Sequence, residues 1–124
     1  MDNVSELSAR INDDGWNSSL SNWLEVSKLN KNDALFILSV GGGNKKAKVS
    51  INLIKAIDLA IKRKVKIFGI VGKNNGYAYI KGDDVILIPT TDKKFITPLS
   101  ESFQSIILHC LVTHPILQSK STKW

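Results

Sequence analysis

Cysteine, proline and aromatic residues are all scarce in this chain of 124 residues, which has one cysteine, three prolines and 7% aromatic residues. A single cysteine excludes a disulfide within the chain, and the apolar neighbours of Cys110 predict a small buried thiol rather than a nucleophile. Uninterrupted apolar runs are short, well below the roughly 18 residues that cross a membrane. Asp2 and Glu6 make the N-terminus acidic, unlike a secretory signal. We therefore expect a cytoplasmic protein with no membrane partner.

Positive charge is in excess, with 17 lysines and arginines against 11 aspartates and glutamates and a net charge of +6. The positive residues are scattered at expected helix and loop ends, in residues 45–48, 62–64 and 93–94. No aromatic residues alternate with them, as a surface that stacks bases requires, so we expect no nucleic acid partner. Two interpretations stay open: a solvated surface, or general attraction for a phosphorylated small molecule. The length suits a single domain.

Residues 32–61 predict a strand, a glycine turn and a helix. Residues 34–38 are five consecutive apolar residues, which is typical of a strand buried on both faces. Apolar residues then recur at helical spacing, at Leu53, Ile54, Ile57, Ala60 and Ile61. The three intervening glycines leave room for an anion to reach amides at the helix start, although a tight turn needs glycine for conformational reasons as well. The sequence matches neither GxGxxG nor GxxxxGK[ST], which disfavours dinucleotides and nucleoside triphosphates.

Further helices and strands are predicted on both sides of this unit. Residues 1–12 and the region of Trp23 have helical apolar spacing, with Trp16 and Trp23 as packing anchors. Residues 65–71 and 85–88 predict two more strands, which right-handed crossovers make parallel. The expected fold class is α/β, a three-layer sandwich with a short parallel sheet. Ligands of such sheets bind beyond the carboxyl ends of the strands, which here are residues 39–44, 72–75 and 89–92.

A closing helix is predicted over residues 99–113. Its buried stripe is expected to contain Phe103, Ile106, Ile107, Cys110 and Leu111. Glu101, Ser105 and His109 form an adjacent strip, in which Glu101 and His109 are about 12 Å apart along the helix. They can therefore meet only through a bound ligand or across a cleft. His109 suits either a structural histidine among apolar neighbours or a catalytic base.

Three segments of the chain carry a family pattern in the same order. They are residues 35–44, the strand and turn over residues 65–76 with its Gly-Lys-Asn-Asn-Gly, and residues 97–104 followed by His109 and residues 111–115. Together they resemble the sugar isomerase (SIS) domain family, in its phosphoheptose isomerase-like branch, over nearly the whole chain. The resemblance implies a truncated flavodoxin-like domain that binds a phosphorylated sugar, often as a homo-oligomer (dimer or tetramer) with active sites between subunits. It also implies isomerisation of sedoheptulose 7-phosphate through an enediol.

The resemblance assigns roles to individual residues. The family's phosphate loop reads Ser-Thr-Ser-Gly-Asn-Ser; Ser39 matches its first serine, but Val40 and Gly41 replace the next two hydroxyl residues. Backbone amides would then hold the phosphate, in a loop of Ser39, Gly41, Gly42, Gly43 and Asn44. The family histidine, a base and in some members a metal ligand, falls on His109, and a family glutamine falls on Glu101. The resemblance thus implies that Glu101 and His109 are the catalytic pair. It also implies that they are the ligands if the cofactor is zinc.

The first part of the family pattern, an Asn-Gly-Gly-Ser loop and a helix with a catalytic glutamate, has no counterpart before Asp33. We therefore expect a single partial SIS domain over residues 1–124, with N-terminal helices over 1–30 and an α/β core over 31–115. The uncovered sheet edge favours self-association. Alternatives to an isomerase stay open: a non-catalytic sugar-phosphate-binding module, an inactive fragment, a structural domain or a nucleotide binder.

Overall fold

The computed structural model describes residues 3–121 and residue 123. In that part of the chain, the sheet strands are β1 (Ala34–Ser39), β2 (Lys66–Val71) and β3 (Asp84–Leu87). The α-helices are α1 (Val4–Asp14), α2 (Ser19–Val26), α3 (Ile51–Lys62), α4 (Tyr77–Lys81) and α5 (Ile96–Thr113). Short 3-10 turns precede α2 and α5, at Trp16–Ser18 and Lys93–Phe95.

The sheet is parallel throughout, with its strands in the order β1-β2-β3. Its register pairs Ser39 with Val71 and Val71 with Leu87, so that the three strands end side by side. We call this end of the sheet the carboxyl edge. Helix α3 connects β1 to β2, and the short α4 connects β2 to β3, as parallel neighbours require. The predicted α/β fold with a short parallel sheet is confirmed.

The main core lies between α2, α3 and one face of the sheet. Ile57 and Ala60 of α3 are buried there, together with Ile67 and Val71 of β2. Apolar residues of α3 repeat at three- and four-residue spacing, and the resulting stripe packs on the strands. Ile61, which was predicted to belong to this stripe, lies at its margin and is 46% exposed.

Helix α5 packs on the opposite face of the sheet and covers it incompletely. Ser100 is fully buried in this contact, and Gln104 Nε2 donates a hydrogen bond of 3.0 Å to the backbone oxygen of Ile70. Phe36 and Leu38 of β1 point to the same face, because side chains alternate along a strand, and they remain 45% and 47% exposed. Helix α5, the third layer of the fold, therefore covers only part of this face of the sheet.

The predicted apolar stripe of α5 is wrong in part. Phe103 and Ile106 are 44% and 52% exposed, and Cys110 is exposed instead of forming the predicted buried thiol. Ser100 occupies the packed side because Gly72 leaves room for it; a Cβ on that glycine would overlap the Ser100 hydroxyl. The apolar residues of α5 therefore predict the wrong buried side, because the side that packs on the sheet is partly polar.

The two tryptophans predicted as anchors differ in their surroundings. Trp23 packs against the core, whereas Trp16, in the 3-10 turn before α2, is 54% exposed. Helix α1 begins at Val4 and has no buried residue. The predicted start of this helix at residues 1 and 2 falls outside the described residues.

One helical stretch, Lys93–Thr113, is long and apolar enough to cross a membrane by length and composition alone. It consists of α5 and the 3-10 turn before it, and 6% of its most apolar window is buried. The prediction of no membrane span was based on uninterrupted apolar runs, whereas serine, glutamine and histidine interrupt the apolar residues of this helix. A single such helix is weak evidence for a membrane.

Candidate functional site at the carboxyl edge

The glycine turn (residues 41–43) follows β1 at the carboxyl edge. Gly42 and Gly43 have φ angles of 67° and 81°, in the left-handed region that glycine adopts most readily. Their carbonyl oxygens accept hydrogen bonds of 2.8 Å from the first two amides of α4. The turn thus packs against α4, and α3 begins only at Ile51. A loop over residues 44–50 separates the two in sequence, but paired hydrogen bonds between Asn44 and Val49 close it, and Ile54 of α3 lies beside Gly43. Anion binding by amides at the start of α3 stays a prediction.

Several groups predicted to hold phosphate make hydrogen bonds within the chain. Gly42 N donates to Ser39 Oγ at 3.0 Å. Asn44 N donates to the Val49 oxygen at 2.9 Å, and Asn44 Oδ1 accepts from Ala47 N at 2.9 Å. These bonds shape the turn and the loop after it. A role in phosphate binding stays a prediction for the loop residues Ser39, Gly41, Gly42, Gly43 and Asn44.

A polar cluster ties the segment after the glycine turn to α3 and α4. Asp58 Oδ1 accepts from the Tyr77 hydroxyl at 2.5 Å, and Asp58 Oδ2 lies 3.0 Å from Lys45 Nζ. Lys45 also lies 4.4 Å from the centre of the Tyr77 ring, a cation–π distance. Partial burial raises the pKa of Asp58, but the hydrogen bonds from Tyr77 and Lys45 outweigh it and hold that pKa below its ordinary value. Asp58 is therefore an ion-paired carboxylate.

A cavity of about 750 Å³ opens at the carboxyl edge, between the segments that follow the three strands and the start of α5. We call it the carboxyl-edge cavity. Its polar and charged lining residues are Lys73, Asn74, Asn75, Thr90, Thr91, Lys93 and Thr97, and its apolar wall includes Val40, Leu87, Ile88, Pro89 and Ile96. The predicted ligand-binding segments 72–75 and 89–92 both contribute to this lining. The segment 39–44 contributes Val40, whose carbonyl oxygen accepts from Gly72 N at 3.0 Å.

The predicted catalytic residues lie on the solvent side of α5. Glu101 and His109 are both exposed. At 100° per residue, His109 is half a turn away from Ser100, which packs on the sheet. Within one chain the fold does not bring His109 to the glycine turn. The catalytic assignment stays a prediction and needs a second subunit to complete a site.

The residues present do not fit a zinc site within one chain. Structural and catalytic zinc sites use three or four protein ligands. Among residues 3–121 and 123, no group of three or more histidine, cysteine, aspartate or glutamate side chains is placed to hold a metal ion. Glu101 and His109 supply two ligands at most, so no step of a mechanism is derived through zinc.

Sequence reasoning missed four polar side chains around the glycine turn and the cavity, two in or next to loops and two on α3 and α4. Lys73 and Lys93 line the carboxyl-edge cavity, and Asp58 and Tyr77 support the glycine turn. Lys93 belongs to a pair that was interpreted as surface charge. Lys93 and Lys94 directly follow residues 89–92, the third segment that was predicted to face a ligand. That position was the available signal for Lys93.

The fold recurs in solved structures of phosphoheptose isomerases. That of Francisella tularensis matches with a TM-score of 0.69 at 20% identity, over 88% of this chain and 55% of the other. That of Neisseria gonorrhoeae matches with a TM-score of 0.61 at 21% identity, over 86% of this chain and 59% of the other. The chain therefore has a phosphoheptose isomerase-like fold.

A curated protein is more similar in sequence. The lincomycin biosynthesis protein LmbN of Streptomyces lincolnensis is 32% identical over 114 residues, which cover 89% of this chain and 40% of that protein. The chain thus spans about two fifths of the length of this relative and less than two thirds of the matched isomerases. No family model matches the chain.

Proposed function

We propose that this chain is a partial SIS domain that binds a sugar phosphate at the carboxyl edge and belongs to an aldose–ketose isomerase. The observation that carries the proposal is the carboxyl edge itself, where the glycine turn and the lysine-lined cavity meet in a phosphoheptose isomerase-like fold. Parallel α/β sheets bind their ligands at this position. The substrate class is a phosphorylated heptose, with sedoheptulose 7-phosphate as the candidate, and Ser39, Gly41, Gly42, Gly43 and Asn44 belong to the proposed site.

The proposed chemistry is proton transfer. A base removes a proton from the carbon next to the carbonyl group, and an acid returns it to the neighbouring carbon of the enediol. His109 is the proposed base, since the ring nitrogen of a neutral imidazole can accept a proton, and Glu101 is its proposed support. Because both residues lie on the solvent side of α5, the site requires a homo-oligomer in which His109 faces the carboxyl edge of a neighbouring subunit.

An isomerase assay with paired histidine variants tests this proposal. We expect the chain to interconvert sedoheptulose 7-phosphate and the corresponding aldose phosphate, assayed with and without added zinc. His109→Ala should lower the rate by about 100-fold or more, the usual contribution of a general base. His114→Ala is the matched control, because it removes the other histidine at the end of the same helix and should leave the rate unchanged. No turnover above background by the wild type would refute the isomerase activity for this chain.

A non-catalytic sugar-phosphate-binding module is the second candidate. It is favoured by the replacement of two hydroxyl residues of the family loop by Val40 and Gly41, and by the exposure of His109. In that case the wild type and His109→Ala should bind a sugar phosphate with equal affinity, and neither should turn it over. Isothermal titration calorimetry beside the isomerase assay separates the two candidates.

A further inference from the structure

The glycine turn has two backbone amides that no other part of the chain uses. Among the described residues, the amides of Gly41 and Gly43 have no hydrogen-bond partner, whereas the amide of Gly42 is bonded to Ser39 Oγ. Gly43 is also buried, and buried amides nearly always have a partner, so an acceptor on a ligand fits this position. Glycine has no side chain to anchor the turn, so groups outside it must set the direction of these amides.

Helix α4 fixes the orientation of the peptide group between Gly42 and Gly43. The Gly42 carbonyl oxygen accepts a hydrogen bond of 2.8 Å from Ala78 N, in the first turn of α4. In a planar trans peptide group the N–H points opposite to the C=O, so this bond directs the Gly43 amide away from α4. A second bond, from Tyr77 N to the Gly43 oxygen, holds the next peptide group at 2.8 Å. The position of α4 therefore sets the direction of the Gly43 amide.

The contact between α4 and the glycine turn is made by backbone atoms. A Cβ on Gly76, the residue before α4, would overlap the Gly41 carbonyl oxygen, and a Cβ on Gly42 would lie 3.3 Å from Gly76 Cα. Helix α4 has five residues, and Ala78 is the one that is buried, so apolar burial holds this helix in place only weakly. A displacement of α4 would be passed directly to the turn.

Polar side chains supply the missing support for α4. The Tyr77 hydroxyl, at the start of α4, donates to Asp58 Oδ1 at 2.5 Å. Asp58 belongs to α3, whose residues Ile57 and Ala60 are fully buried in the main core, so this bond ties α4 to a well-packed helix. Lys45 adds a contact with both, because its Nζ lies 3.0 Å from Asp58 Oδ2 and 4.4 Å from the centre of the Tyr77 ring. The cluster thus fastens α4 and the segment after the turn to the same residue.

We infer that Tyr77 and Asp58 are positioning residues for the phosphate of the ligand: their hydrogen bond holds α4 against the glycine turn and so directs the Gly43 amide to a phosphate oxygen. This inference deepens the proposed function and rests on it for the class of the ligand. Neither side chain has to touch the ligand. A turn that is held before binding loses less conformational entropy when the phosphate binds, and the affinity is correspondingly higher.

The two tyrosines of α4 give a matched test. Tyr77→Phe removes the hydroxyl that donates to Asp58, whereas Tyr79→Phe removes the same group from a residue of the same helix that is 38% exposed. Inorganic phosphate is titrated into each protein by calorimetry. We expect Tyr77→Phe to bind it about fivefold more weakly or worse, because a hydrogen bond to a charged group is lost, and Tyr79→Phe to stay within about twofold of the wild type. Circular dichroism melting verifies that the variants are folded at the temperature of the titration.

Three further measurements distinguish positioning from a general structural role. In an Asp58→Ala background, where the hydrogen bond is already absent, Tyr77→Phe should change the phosphate affinity by less than about twofold. In ¹H–¹⁵N spectra of the wild type, phosphate should shift the amides of Gly41 and Gly43. With sedoheptulose 7-phosphate, Tyr77→Phe should raise KM about fivefold and leave kcat within about twofold, because the phosphate is bound alike in the substrate and the transition state.

The outcomes separate the inference from the proposed function. An unchanged affinity of Tyr77→Phe, equal weakening by both tyrosine variants, an effect of Tyr77→Phe that persists in the Asp58→Ala background, or phosphate-induced shifts that spare the glycine turn would overturn the inference. Phosphate binding that depends on Tyr77 without turnover of the sugar phosphate would leave the inference standing and refute the isomerase. Turnover with an affinity that Tyr77→Phe does not change would refute the inference alone, and a wild type that binds neither compound would refute both.

Discussion

Asp58 links three segments of the chain through one carboxylate. It lies on α3, accepts from the Tyr77 hydroxyl at the start of α4, and pairs with Lys45 just after the glycine turn. Hydrogen bonding of the Lys45 ammonium to Tyr77 is the first cause of the raised pKa of Lys45, and its bond to Asp58 is the second. The pair keeps opposite charges over a wide pH range. Side chains outside the glycine turn therefore help to fix its position.

Asp58→Asn should destabilise the chain in a pH-dependent way. The folded-state pKa of Asp58 is below the ordinary value of 3.8, so its stabilising effect is present above that value and is lost as the pH falls through the folded pKa. Because Asp58 is half exposed, we expect a cost of about 1 kcal/mol at about pH 6, and almost none at about pH 2.5. Urea unfolding at both pH values measures it.

Asp14→Asn is the matched control for this prediction, since it removes a carboxylate at the end of α1, away from the cluster. It should change the free energy of unfolding little at either pH. A cost of Asp58→Asn that is equal at both pH values would contradict an electrostatic role of the carboxylate.

At the scale of elements, α5 differs most from its prediction. Its packed side carries Ser100 and Gln104, which meet Gly72 and the carbonyl oxygen of Ile70, while Phe103 and Ile106 face outwards. Gln104 is satisfied on this side by a strand carbonyl, whereas Ser100 fits there because Gly72 has no Cβ, and its hydroxyl has no hydrogen-bond partner among the described residues. The helix is thus oriented by two contacts rather than by its apolar residues.

Two adjacent isoleucines of α5 give a matched test of this orientation. Ile107 lies on the partly buried side and Ile106 is 52% exposed. We expect Ile107→Asn to lower the free energy of unfolding by about 2 kcal/mol, because it buries an amide in place of an apolar side chain. Ile106→Asn should cost less than about 0.5 kcal/mol in dilute protein. Urea unfolding compares the two, and the reverse order would contradict the orientation described.

The sequence predicted this fold well wherever apolar spacing decided the structure. The apolar pattern of residues 34–38 and the stripe of α3 correctly predicted a strand and a helix. The predicted burial of the strand on both faces is wrong within the chain, because α5 leaves Phe36 and Leu38 about half exposed. The orientation of α5 could not be predicted in this way, because it depends on Gly72, which is distant in sequence. Lys73 and Lys93 were missed because their sequence context does not distinguish a lysine that lines a cavity from a lysine on the solvated surface.

The whole molecule leaves a broad apolar surface in contact with solvent. Phe103 and Ile106 of α5 and Phe36 and Leu38 of β1 are all between 44% and 52% exposed. Parallel sheets are normally covered on both faces, and contiguous exposed apolar patches mark interaction surfaces. This surface and the position of His109 on the same helix both agree with the proposed homo-oligomer.

We expect this surface to mediate self-association. The wild type should elute as a dimer or larger species in size-exclusion chromatography with light scattering, whereas Phe103→Glu should elute as a monomer because the charge would be buried in the contact. Val4→Glu adds the same charge at a residue of α1 that is 77% exposed and should leave the assembly unchanged. A monomeric wild type at about 100 μM, a concentration at which weak dimers form, would contradict the proposed oligomer.

Strand β1 is the outermost strand on its side of the sheet, and its outer backbone groups are free of strand partners among the described residues. An additional parallel strand at that position would follow the alternation of Ala34–Ser39 and end beside the glycine turn. Whatever residue came next in that strand would then face Gly41 from across the edge. The strand that pairs with β1 would therefore determine which further groups meet a ligand at the carboxyl edge.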